Sequence, residues 1–273
     1  MKKLFTIGLS ALLFVTACKK EDTTPTSPIN PNNKGYITLE YDNRVGDLGL
    51  VLDSPFYTNA LGQNFSITKF NYFISNIVLL NEDGSTYVVP QDSSYFLVQE
   101  SDAETQEIMI RVPEGNYSGV KFVVGIDSLR NTKPLNERTG TLDPAGTAAG
   151  MYWTWNSGYI FLKMEGNYDD PTDSVTTRQD YLYHIGGFGG FSAPTINNIK
   201  NITMNFGADR AEVRQAKGIA GPNVHMYVDA GKVLSNTTNV NFNVNPMVMF
   251  APYSTSIADN YAGMFSVNHV HND

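Results

Sequence analysis

Beyond Gly35, apolar and polar residues alternate over runs of strand length, as in Tyr36-Ile37-Thr38-Leu39-Glu40-Tyr41, and Gly, Asn, Asp and Pro punctuate the runs. A period of two sends successive side chains to opposite faces, so each run predicts a strand with one buried face. Further runs cover 65–80, interrupted near Ser75-Asn76, then 86–89, 95–98, 108–112 and 117–126. The second half adds 153–164, 179–184, 199–206, 224–228 and 240–242. Asn81-Glu82-Asp83-Gly84 predicts a hairpin turn, because Asp-Gly supplies the positive φ such turns need. Helical patterns are confined to the end of the chain, at 245–250 and 254–265. No repeat of fixed period and no Pro/Ser-rich linker divides residues 35–273. The expectation is one mainly β domain, an antiparallel β-sandwich with a short C-terminal helical or irregular segment. A closed barrel is the alternative arrangement of the same strands.

Cys18 is the single cysteine. Disulfides, CxxC redox chemistry, thiolate metal sites and cysteine nucleophiles are therefore excluded from the folded part. Lys2 and Lys3 precede an apolar stretch over 4–15, too short to span a bilayer as a mature helix, and Val15-Thr16-Ala17-Cys18 follows. This arrangement resembles the lipobox of bacterial lipoproteins, in which cleavage precedes the cysteine and acyl chains are added to it. It implies a signal peptide over 1–17, a lipidated Cys18 that anchors the chain, and a tether over 18–34 rich in Thr, Pro, Ser and Asn. Lys19-Lys20-Glu21-Asp22 is similar to the signal that exports Bacteroidetes-type lipoproteins to the outer face of the outer membrane. The expected location is the outer membrane, with the domain facing the periplasm or the cell surface. A net charge of −8, with no run of Lys and Arg after the N-terminal segment, argues against nucleic acid or an anionic membrane surface as partner.

Both tryptophans lie in Gly150-Met151-Tyr152-Trp153-Thr154-Trp155-Asn156-Ser157-Gly158-Tyr159. In a strand, Met151, Trp153 and Trp155 would share one face and Tyr152 and Thr154 the other, as an aromatic core ladder or as an exposed site. The four histidines are the candidate metal ligands: His184 at the end of a strand before a Gly-rich turn, His225, and the close pair His269 and His271. Each has a structural alternative, a hydrogen-bonded histidine at 184 and a solvated tail at 269–271. Met247 and Met249 are candidate soft ligands or core fillers. No GxSxG, HExxH or Walker pattern is present, and Gly186-Gly187-Phe188-Gly189-Gly190-Phe191 lacks the Gly-Lys-Ser/Thr of a phosphate cradle, so no enzymatic activity is expected.

Nearly all of 35–273 resembles the MbnP-like proteins, a family named for a periplasmic copper-binding protein encoded alongside methanobactin in methane-oxidising bacteria. The resemblance rests on Phe70-Asn71-Tyr72-Phe73-Ile74-Ser75-Asn76-Ile77, Gly125-Ile126-Asp127-Ser128-Leu129-Arg130-Asn131 with Leu142-Asp143-Pro144, the Trp-x-Trp segment with Gly158-Tyr159, and Tyr183-His184-Ile185-Gly186-Gly187. It implies copper binding in metal acquisition, storage or handling. It also implies a tryptophan, Trp153 or Trp155, oxidised to kynurenine by a diheme enzyme related to cytochrome c peroxidases, with His184 as a ligand. Methanotroph-type sequences commonly read Asn-His where this chain reads Asn131-Thr132, and they carry cysteines absent here. The competing class is a metal-free binding or scaffold lipoprotein that holds glycan, peptide or an outer-membrane partner through Tyr152, Phe188 or Phe191.

Overall fold

The computed structural model describes residues 28–53, 56–155, 158–171 and 178–272; Cys18 and the leader lie outside the described residues. The strands are β1 (Lys34–Val45), β2 (Leu48–Gly49), β3 (Tyr57–Thr58), β4 (Asn64–Asn81), β5 (Thr86–Val88), β6 (Tyr95–Gln99), β7 (Glu107–Pro113) and β8 (Gly115–Val124). The second half adds β9 (Tyr152–Trp153), β10 (Gly158–Asp169), β11 (Gln179–Gly186), β12 (Lys200–Asn205), β13 (Ala211–Val213), β14 (Asn223–Asp229), β15 (Met247–Val248) and β16 (Phe265–His271). Between the strands lie short α-helices, α1 (Ser128–Asn131), α2 (Gly231–Leu234) and α3 (Ser254–Tyr261), and several single-turn 3₁₀ helices. None of them is long and apolar enough to cross a membrane.

The strands form two sheets. The smaller is ordered β16-β14-β1-β2, with β7 also paired to β1; the larger is ordered β12-β8-β4-β10-β11-β15, with short strands added along β4, β8 and β10. Pairing among the described strands is antiparallel except β1 with β14 and β11 with β15. The sequence periodicity explains the packing. Ile37, Leu39 and Tyr41 of β1 and Val224, Met226 and Val228 of β14 turn inward and share one core with Tyr181, Tyr183 and Ile185 of β11. Burying such a face supplies the main driving force, at about 25 cal/mol for each Å² of apolar surface.

A second cluster lies on the other side of the larger sheet. Phe73, Leu97, Tyr159 and Phe161 project outward, and the segment around Leu142, Ala148, Met151 and Trp153 covers them. This crossing holds through Asn131, whose Oδ1 accepts from the Tyr159 amide at 3.1 Å while its Nδ2 donates to the Ile126 carbonyl at 2.6 Å.

Several sequence expectations change. The interruption near Ser75-Asn76 does not end a strand: β4 runs through it with a register shift against β8, and Asn76 takes φ 53°. Asparagine tolerates that left-handed conformation, and Ser94 accepts from the Asn76 amide and from the Ile77 amide. Residues 240–242 form no strand, although Val240 and Phe242 are buried. The helix expected at 245–250 is instead the two-residue strand β15, because Met247 and Val248 find backbone partners along the open edge of β11. Of the helix expected over 254–265, Ser254–Tyr261 forms, and the chain then closes as β16 on β14.

Candidate functional site

The tryptophan segment is a tight hairpin and not the start of a long strand. Trp153 pairs with Gly158 and Tyr152 with Tyr159, so the chain reverses direction between Trp153 and Gly158. The rings nevertheless meet, with centroids 5.2 Å apart and planes tilted by 41°. Their environments differ: Trp153 is 5% exposed and Trp155 is 63% exposed. Met151 is buried in the same cluster as Trp153, and Tyr152 packs edge-on against Tyr159 at 5.4 Å.

Gly186 fixes where Trp153 sits. A Cβ at Gly186 would lie 2.8 Å from the indole and would overlap the Tyr159 carbonyl oxygen, so only glycine lets the ring lie on this strand. His184 precedes it by two positions on the same outward face, roughly 7 Å along the strand. The sheet register sets His184 opposite Lys163. Its Nε2 lies 2.6 Å from Oε1 of Glu165, and the Lys163 ammonium lies 3.3 Å from the same oxygen. Lys163 also donates to the Gly150 carbonyl at 3.0 Å, tying the outward face to the loop that carries the tryptophans. On the other side, β15 pairs Leu182 with Met247 and Tyr183 with Val248, and the pairing ends there, one residue before Met249. Met249 packs against the Trp153 cluster, as does Phe250, whose ring is 6.3 Å from Trp153; Met247 is 62% exposed.

The electrostatics keep this imidazole neutral. Burial pushes the His184 pKa down, the Glu165 hydrogen bond opposes it, and the positive charges of Lys163 and Lys69 push it further down. Burial raises the Glu165 carboxyl, but the His184 hydrogen bond and the Lys163 charge outweigh it and leave its pKa lowered. With Nε2–H donating to the carboxylate, the unprotonated nitrogen is Nδ1, the arrangement in which a carboxylate orients a metal-binding histidine.

A stability test follows from the sign of these shifts. A histidine whose folded pKa is lowered favours folding less as pH falls through its unfolded value of 6.5 toward the folded one. Glu165, also lowered, loses its contribution later, as pH falls through 4.5 and below. The denaturation midpoint is expected to fall between about pH 7.5 and pH 5.5, and His184→Gln is expected to flatten that interval. An unchanged slope in the variant would assign the pH dependence to other groups.

The remaining histidines lie elsewhere. His225, His269 and His271 come together on the outward face of the smaller sheet, with His225 and His269 in register. Residues 269–271, for which a solvated tail was the alternative, lie in strand β16. Of the aromatics named for a scaffold role, Phe191 is 78% exposed, while Tyr152 and Phe188 pack against the Trp153 cluster. Among the described residues, no group of three or more His, Cys, Asp or Glu side chains is placed as it stands to hold a metal ion. Sequence reasoning passed over Glu165 and Lys163, whose signal was their alternation along the strand facing His184.

The family model described as MbnP matches residues 34–250. Among solved structures, MbnP from Methylosinus trichosporium matches with a TM-score of 0.51 and 12% sequence identity, covering 80% of this chain and 82% of that one. At that identity the likeness concerns the fold. No curated protein matches.

Proposed function

Because the chain belongs to the MbnP family, we propose that it is a lipid-anchored, extracytoplasmic copper-handling protein whose site is the outward face of the larger sheet around His184 and the tryptophans. One observation carries this reading. The Trp153 ring lies against Gly186 while His184, two positions back on the same face, is held neutral with Nε2 on Glu165. The donor types fit copper: His184 supplies an imidazole nitrogen, and Met249, packed against the Trp153 cluster on the same side of the sheet, a thioether, a combination that suits copper(I) better than zinc. Copper here is the cargo, taken up for acquisition or delivery. Glu165 orients the ligand, Lys163 braces the carboxylate, and the buried aromatics around Trp153 limit access of water.

The diheme peroxidase-related partner expected from the family would act on one of the two indoles. Trp155 is the one a macromolecule reaches from solvent, and Trp153 is the one seated on the strand of His184. Acyl chains on Cys18 would hold the domain at the outer membrane, facing the periplasm or the cell surface. We assign the chain a binding role, with no catalysis and no nucleic-acid partner. The exposure of Trp155 and Phe191 supports a second reading, a metal-free scaffold that holds a glycan, a peptide or a membrane partner.

Intact mass and copper content, measured on one delipidated sample from the native host, separate the two. The copper reading expects bound metal and a tryptophan peptide heavier by about four mass units, because kynurenine formation removes one carbon and adds one oxygen. His184→Gln is expected to lose copper(I) uptake. An unmodified, metal-free chain that takes up no added copper(I) would overturn the copper reading and leave the scaffold.

A further inference from the structure

The outward face of the smaller sheet holds three imidazoles that the site above does not use. The register aligns Glu107 with Glu40, Glu40 with His225 and His225 with His269, one row across four strands. His271 follows two residues along, opposite Asn223. The Nε2 atoms of His269 and His271 are 2.6 Å apart, and the rings of His225 and His269 are 4.9 Å apart.

A β-bulge creates this arrangement. Phe265 and Val267 pack against the core, and strict alternation would send residue 269 inward as well. The register shifts between His225 and Met226, so that Met226 pairs with Val267 and His225 with His269, and Asn268 is the extra residue. Val270 then packs against the core, and His269 and His271 face outward beside His225.

We propose that His225, His269 and His271 form a site for a first-row divalent cation of the zinc class, separate from the copper site on the larger sheet. The tautomer of His225 favours it. The Asn268 amide donates to Nδ1 at 2.9 Å, which leaves Nε2 protonated and facing Asp42 at 3.4 Å and Glu40 at 3.5 Å. The basic nitrogen therefore points toward β16, with two carboxylates behind the ring as in a carboxylate–histidine–metal triad. A cation takes the place now filled by the Asn268 amide, and rotation of that exposed side chain opens it. With the amide in that place, no three such donors converge among the described residues as the side chains stand. Two nitrogens on one tetrahedral zinc lie about 3.3 Å apart, so His269 and His271 need to part by less than an ångström. The adjoining cavity of about 200 Å³ is lined by Glu40, Asp42, Gln106, Glu107 and His225, so the surrounding charge is negative and attracts a cation. Imidazole without a thioether selects zinc, copper(II) or nickel in place of copper(I). His269 and His271 lie beyond residue 250, where the family match ends.

Zn²⁺ titration of the full chain, carrying no affinity tag, tests the proposal by calorimetry. One equivalent is expected to bind, and His269→Gln with His271→Gln is expected to abolish it. Glu40→Gln with Asp42→Asn, which leaves all three imidazoles in place, is expected to weaken binding about 10- to 100-fold. His184→Gln is expected to bind zinc as the unaltered chain does, which keeps this test independent of the copper reading. Unaltered melting of each variant without zinc excludes misfolding as the cause. Absence of zinc uptake, uptake that survives loss of His269 and His271, or uptake lost with His184 would each overturn the proposal.

Discussion

Trp153→Ala is expected to cost about 3–5 kcal/mol, whereas Trp155→Ala costs about 1 kcal/mol or less. The two indoles are neighbours, yet only Trp153 is enclosed, by Phe250, the Gly186 backbone and the cluster under the 142–153 segment. Deleting it leaves a cavity whose walls are sheet backbone and packed rings, which cannot collapse freely. Deleting Trp155 removes a ring already 63% exposed and one tilted aromatic contact. Thermal melting should therefore drop by about 10 °C for the first variant and by a few degrees at most for the second. Equal losses would show that the hairpin is packed as a unit and that the exposure difference has no energetic meaning.

Gly186→Ala is expected to destabilise the chain by about 3 kcal/mol, the upper part of the range for overpacking. The added methyl overlaps the Tyr159 carbonyl oxygen, and backbone cannot turn away as a side chain can. It also meets the indole of Trp153 at 2.8 Å, so the ring must leave the strand that carries His184. Denaturant midpoint and tryptophan emission should change together, with the emission moving to the red as Trp153 becomes hydrated. Gly49→Ala is the control: nothing lies within 4 Å of its added Cβ, and its effect should stay within about 0.5 kcal/mol. A Gly186 variant as stable as the Gly49 variant would mean that Trp153 is not seated on β11.

The period of two in β1 and β14, set by Ile37, Leu39, Tyr41 and by Val224, Met226, Val228, determined both strands and the inward faces of the smaller sheet. The Trp-x-Trp and Tyr-His-Ile-Gly-Gly segments likewise carried the resemblance to the family whose model matches residues 34–250, because they are local strings of residues that need no partner to be read. The pairing partners were not local. Met247-Val248 carries no strand signature of its own, and it became β15 because the edge of β11 offered unpaired backbone groups. Glu165 was one acid among 27 until the register of β10 with β11 set it against His184. The histidine cluster depended on still less: Phe265, Val267 and Val270 break alternation by one residue, and only the pairing with β14 turns that break into a bulge that faces His269 and His271 outward. Sequence alone thus determined what alternates within a strand, since side-chain direction is a property of the local backbone. Tertiary structure decided which strands lie side by side, and with them which donors can meet, since cross-strand register is set by backbone pairing between segments distant in the chain.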